Sequence, residues 1–199
     1  MNRHIPIEMI VAINTFISRY NKDPDQIMRS AGLKPKSILL GTQAVNEDEF
    51  NTYLEKAALV CDDRYFLLNL AKYHGREMLQ STWQITQNSS TIESALIKIA
   101  EHYQKQNFSL HIQLENNREG IELGFDVRAF DQWDPFKYSG QLYFIDLIMA
   151  MFCYELRWQL GADWRPKYTQ FQHSAPTRLF PYQEIYGENL YFNRDINAL

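Results

Sequence analysis

The chain has 199 residues, of which 45% are hydrophobic and 14% aromatic, and its formal net charge is −4. That is enough apolar mass for one well-filled domain, and too much for a disordered segment. The 20 Lys and Arg against 24 Asp and Glu, with no dense basic run, argue against direct DNA binding by this piece, because phosphate neutralisation dominates such affinity.

From the N-terminus, Ile7, Ile10, Val11, Ile13, Phe16 and Ile17 recur at helical spacing over residues 5–20. Asp23 followed by Pro24 reads as an N-cap with proline at the first helical position, opening a short helix over 24–31 that Gly32 closes. A loop follows through Pro35 and Gly41. Asn46 with Glu49 predicts a capped helix carrying Phe50, Leu54, Ala57, Ala58 and Cys61. Asp62 and Asp63 break it, and a further helix over 65–73 ends near Gly75. Residues 76–88 have no clear period. Ser90-Thr91-Ile92-Glu93 reads as a capping box, ahead of a helix with Ile92, Ala95, Leu96, Ile99 and Tyr103 on one face.

The period then changes. Phe108, Leu110, Ile112 and Leu114 alternate with polar residues, as do Ile121, Leu123, Phe125 and Val127, with a turn over 116–120 between them. This predicts a β-hairpin. Trp133-Asp134-Pro135 reads as a loop, and 136–160 as a long, very apolar helix ending at Gly161. A strand over 168–173, a short helix around 182–186 and a strand over 190–192 finish the chain. The fold class is α+β: N-terminal helices, then a small, mostly antiparallel sheet of about four strands with the long apolar helix packed on it. Residues 1–199 form a single domain, with no repeat and no dividing linker.

Cys61 and Cys153 sit in apolar helical patterns and form neither a disulfide scaffold nor a metal motif. The start, Met1-Asn2-Arg3-His4, leads into an amphipathic segment and not a signal peptide, so the reading is cytoplasmic, and the sequons at Asn88 and Asn107 carry no chemistry. The apolar run in the long helix is too short to span a bilayer. A helix apolar on every side is either central in the core or shared with a partner subunit, and the core reading is preferred.

Asp146 interrupts that apolar helix, and burying its charge alone would be costly. It lies on a polar strip with Ser139, Cys153 and Arg157, or pairs with a basic residue from elsewhere, or recognises a ligand; all three readings stand. His173 is either a polar group in a ligand cavity or a histidine that fixes the following turn, the latter preferred. His111 points outward, and His4, His74 and His102 lack the spacing of a metal site. The aromatics Trp83, Tyr103, Phe125, Tyr143, Trp158 and Trp164 are candidates to line a pocket, though most such residues are core. There is no Gly-rich phosphate loop, no His-Glu-x-x-His and no Gly-x-Ser-x-Gly, and no residue earns a catalytic role. No cofactor and no metal are expected.

Four blocks in fixed order carry a resemblance: Asp23 to Ala31-Gly32, the entry at Ser90-Thr91-Ile92-Glu93, Trp164-Arg165-Pro166 with Phe171-x-His173-x-x-Pro176, and Tyr186-Gly187 to Phe192-Asn193. They resemble the N-terminal arabinose-binding-like effector and dimerisation domain of AraC-type transcription regulators. The resemblance implies a bacterial, cytoplasmic regulator, a small-molecule effector of unknown identity, and a homodimer. It implies that DNA is read only through a helix-turn-helix domain expected after residue 199, and that the domain is not an enzyme. Members respond to effectors of varied chemistry, so no sugar is implied. The ligand candidates are Trp83, Tyr103, Phe125, Tyr143, Asp146, Trp158 and His173, in a site expected between the helix 136–160 and the hairpin 108–127. A free-standing dimerisation module without a ligand, or an unrecognised small-molecule enzyme, are the alternatives.

Overall fold

A computed structural model describes residues 5–105, 110–118, 120–127 and 139–199, without the side chains of Gln80, Ser81, Trp83, Val127 and residues 139–143. The expected strand start at Phe108, the turn residue Glu119, the loop Trp133-Asp134-Pro135 and the helix start at Phe136 lie outside the described residues, as do the side chains of Trp83 and Tyr143.

The first half is helical. α1 (Ile7–Ser18) buries Met9, Ile10, Ala12, Ile13, Phe16 and Ile17, the single stripe that its spacing predicts. α2 (Pro24–Ser30) starts at Asp23, whose side chain accepts from the Asp25 amide. Residues expected as loop form α3 (Pro35–Leu39), where Pro35 supplies a preset φ at the first helical position. α4 (Glu47–Cys61) opens on a full capping box between Asn46 and Glu49 and ends at Asp62, in left-handed conformation with φ 50°.

α5 (Phe66–Met78) corrects the expected stop at Gly75. The helix runs through the glycine because α8 (Ser139–Leu160) packs against it there: a Cβ at Gly75 would sit 3.0 Å from Met151 Cγ. α6 (Gln80–Gln87) fills a stretch without clear period. The cap of α7 (Ile92–Lys105) also shifts. Thr91 accepts from the Ser94 amide at 3.0 Å and the Ser94 hydroxyl accepts from the Thr91 amide at 3.3 Å, in place of Ser90 and Glu93.

α8 is the centre of the molecule. The consecutive residues Leu147, Ile148, Met149, Ala150, Met151, Phe152 and Cys153 are all buried. At 3.6 residues per turn this run faces every direction, so the helix is surrounded by its own chain. It packs against α4, α5, α9 and β2. This settles the apolar helix as core.

The sheet follows the order β1-β2-β5-β3-β4. β1 (Leu110–Asn117) and β2 (Gly120–Val127) form the expected antiparallel hairpin, in register from Leu110↔Val127 to Asn117↔Gly120. β3 (Thr169–Gln170) pairs in parallel with β4 (Leu190–Tyr191), and α9 (Phe180–Tyr186) supplies the crossover that a parallel pair needs. A fifth strand, β5 (Asn197–Ala198), lies between β2 and β3, antiparallel to both. One continuous core runs from Ile5 to Leu199, through helices and sheet alike.

Candidate functional site

Gly161 adopts φ 117° just past the end of α8, a conformation that costs a residue with a side chain dearly. The chain reverses there: the Trp164 amide donates to the Gly161 carbonyl at 3.0 Å, and Arg157 Nε donates to the Trp164 carbonyl at 3.3 Å. The segment from Trp164 to Tyr168 is thereby laid back across the end of the helix. Between it, the first turns of α7 and the outer end of β2 lies a cavity of about 280 Å³.

Its walls come from six separate segments. α7 contributes Ile92 and Leu96, α8 contributes Leu156 and Leu160, and β2 contributes Ile121 and Leu123. Trp164 and Leu199 complete the apolar lining. Leu199 is fixed by a reciprocal pair of backbone hydrogen bonds with Leu123, both 3.0 Å. The polar groups are few, as in most small-molecule sites. Asn117, Glu122, Arg165, Lys167 and Tyr168 lie at the wall, and the Tyr168 hydroxyl donates to the Glu122 carboxylate. The volume lies just below the roughly 300–1,000 Å³ usual for ligand pockets, which suits a small metabolite. A void of about 20 Å³ shares the walls Ile92, Leu96 and Leu156 and adjoins Glu155. Burial raises the Glu155 pKa, while Gln159 Nε2 donates to its carboxylate at 3.0 Å.

A second polar cluster lies near the other end of α8. The Asp146 carboxylate is 3.1 Å from His173 Nε2 and accepts from the Tyr182 hydroxyl at 2.8 Å. Burial alone would lower the His173 pKa. The hydrogen bond to Asp146, the Asp146 charge and the Ser174 carbonyl outweigh it and raise the pKa above its ordinary value. Phe171 packs edge-on against Tyr182 and Tyr186, and flat on Phe192. The Tyr186 hydroxyl is buried with no hydrogen-bond partner among the described residues, and burial, then Asp146, push its pKa well up.

The expected ligand residues therefore separate. Asp146 and His173 bind each other, which is the paired reading of Asp146, and His173 also holds its turn through Ser174. Tyr103 and Phe125 pack on Phe152 in the core, with centroids 6.3 and 5.3 Å away. Trp158 is 53% exposed and lies 3.9 Å beneath the Arg76 guanidinium. None of these five lines the cavity between α7, β2 and the end of α8, whereas Trp164 does. The other cavity residues gave no motif in the sequence, apart from Trp164-Arg165-Pro166. Cys61 and Cys153 are free thiols, with pKa values that burial pushes up to about 11 and about 12. Among the described residues no group of three or more His, Cys, Asp or Glu could hold a metal ion, and no helix is long and apolar enough to cross a membrane.

The family model described as the arabinose-binding domain of AraC transcription regulators, N-terminal, matches residues 22–199. The chain belongs to that family. No curated protein matches the chain significantly. The matched span of this AraC-type domain begins just before α2 and takes in every element around the cavity. A regulatory, ligand-sensing role follows from the family, which is not an enzyme family.

Proposed function

We propose that this chain is the effector-sensing and dimerisation domain of a cytoplasmic AraC-type regulator. It biases a helix-turn-helix domain of the same protein, with a small molecule seated in the cavity between α7, β2 and the C-terminal end of α8. The observation that carries the reading is the cavity itself, which is mostly apolar, sized for a metabolite, and walled by helix and sheet together. A ligand acts only through differential affinity for two states. A site whose walls belong to α7, α8, β2 and Leu199 beside β5 favours whichever state holds those elements at the ligand's spacing.

The test is thermal unfolding of the chain across a metabolite collection. A ligand that binds only the folded form stabilises by about 2.7 kcal/mol at 100 times its dissociation constant. Leu156→Trp, which fills the cavity, should cancel the shift of any hit, while Asp146→Ala and Trp158→Ala should leave it. A hit whose shift survives Leu156→Trp places the effector elsewhere. Sedimentation over a range of concentrations tests dimerisation directly.

A further inference from the structure

We infer that the outer edge of β1 is an interface between two copies of this chain, paired antiparallel about Gln113 so that their sheets run on as one. This rests on the reading of the domain as a dimerisation module, and adds the surface and the register of the contact.

Among the described residues the sheet ends in two edge strands, β1 and β4. β4 is two residues long, and a short edge offers little to another chain. β1 is eight residues long and pairs one-to-one with β2. It has neither Lys, nor Pro, nor a bulge, the devices that keep a long edge single. Leu123 shows which backbone groups face outward. Its amide and carbonyl are both bonded to Leu199, so Leu123 and its β1 neighbour Leu114 form a non-hydrogen-bonded pair. The Leu114 amide and carbonyl therefore point away from β2, as do those of Leu110, Ile112 and Asn116 at a period of two. Among the described residues no backbone hydrogen bond reaches these groups.

A two-fold contact sets a surface against itself. Centred on Gln113, it places Ile112 against the partner's Leu114 and continues the apolar layer across the axis. On the exposed face it places His111 against the partner's Glu115, once on each side, and Gln113 against the partner's Gln113. An imidazole N–H donates to a carboxylate, and one side-chain amide to the other. These are non-hydrogen-bonded pairs, in which side chains lie closest. A single copy offers Gln113 and Glu115 nothing comparable. Glu115 stands opposite Glu122 on β2, a like-charge pair, and Gln113 stands opposite Gly124. His111 stands opposite Asp126, so the joined sheets set its ring between two carboxylates. His111 and Glu115 lie about 13 Å apart along one strand and do not meet within a copy. Charge selects this register, because centring on Glu115 opposes two carboxylates, and centring on Ile112 or Leu114 keeps His111 from the partner's Glu115.

Oxidative cross-linking of introduced cysteines tests this in the whole chain. Opposed residues of a non-hydrogen-bonded pair have Cα atoms about 4.5 Å apart, within reach of a disulfide. Gln113→Cys should cross-link to itself. His111→Cys and Glu115→Cys should each fail alone, and a mixture of the two should give the mixed dimer. Cys61 and Cys153 are buried, and wild type measures their background. Equal melting temperatures show that the variants fold. Sedimentation gives a second readout: Glu115→Lys should raise the dimer dissociation constant about tenfold, since two cross-strand pairs are lost. The inference is overturned if Gln113→Cys gives no cross-link, if the three variants cross-link alike, or if Glu115→Lys dimerises as wild type does. A wild-type dimer without the Gln113 cross-link removes this surface alone. A wild type that is monomeric up to millimolar concentration removes the dimerisation reading as well.

Discussion

His173 meets an acceptor at each ring nitrogen: Nε2 lies 3.1 Å from an Asp146 carboxylate oxygen, and Nδ1 lies 2.9 Å from the Ser174 carbonyl. A neutral imidazole has one N–H and satisfies one of these, whereas the imidazolium satisfies both. The raised pKa of His173 agrees with this geometry. Asp146 is the charged group facing the ring from α8, α9 presents the phenols of Tyr182 and Tyr186, and Phe171 and Phe192 pack beside it.

Because the folded-state pKa lies above the unfolded value of about 6.5, the folded state binds more protons across that interval. The stabilisation is fully present below about pH 6.5 and is lost as pH rises through the folded-state value. Urea unfolding should show wild type losing stability relative to His173→Gln over that rise. Parallel pH profiles for the two proteins would show that folding leaves the His173 pKa unchanged.

This cluster also shows what a sequence can and cannot reveal. Asp146 stands out because it breaks an apolar helix, but its partners lie 27 and 36 residues away on a loop and on α9, at separations that no local spacing encodes. Helix starts are legible where caps are local, as at Asp23 and Asn46. The hairpin is legible because apolar and polar residues alternate from Leu110 to Leu114 and from Ile121 to Val127. β5 is not, since a two-residue strand has no period and exists through its neighbours. The cavity shares that property: six segments form it, and each of its apolar residues reads as ordinary core.

Gly75 offers a test of how closely α5 and α8 approach. An exposed helical Gly→Ala change gains about 1 kcal/mol. Here the added methyl would lie 3.0 Å from Met151 Cγ and 3.6 Å from Met151 Cβ, and Met151 is buried. Overpacking of this kind costs about 1–3 kcal/mol. Gly75→Ala should therefore lower the urea midpoint, and combining it with Met151→Ala should show favourable coupling in a double-mutant cycle. A higher midpoint for Gly75→Ala alone would mean that the helices sit further apart.

Trp158 should contribute little beyond its stacking. It is half exposed beneath Arg76, and a cation–π pair in such a place is worth about 0.5–1 kcal/mol. Trp158→Ala should destabilise by about that amount and leave ligand binding in the cavity unchanged, because α8 turns Leu156 and Leu160, and not Trp158, to the cavity wall. Calorimetry on the variant decides this, since weaker binding with normal stability would put Trp158 at the ligand.

The joint between the two halves of the sheet rests on Asn197. Its side chain donates to Gln172 Oε1 at 2.7 Å and accepts from the Gln172 amide at 2.9 Å, and the residue is buried. β5 is two residues long, so this clamp and the Leu123–Leu199 pair carry much of its attachment. Asn197→Ala leaves the Gln172 amide without its acceptor, at a cost of about 1–3 kcal/mol. The change should also be local. Amide exchange at Leu123 and Leu199 should accelerate more than exchange in α4, because opening of β5 need not disturb the helices. Leu199 lines the cavity, so a bound ligand should slow the same two amides, and in Asn197→Ala it should restore part of the lost protection. Equal acceleration in β5 and α4 would show that β5 opens only when the whole domain unfolds, and β5 could not then report on the cavity separately.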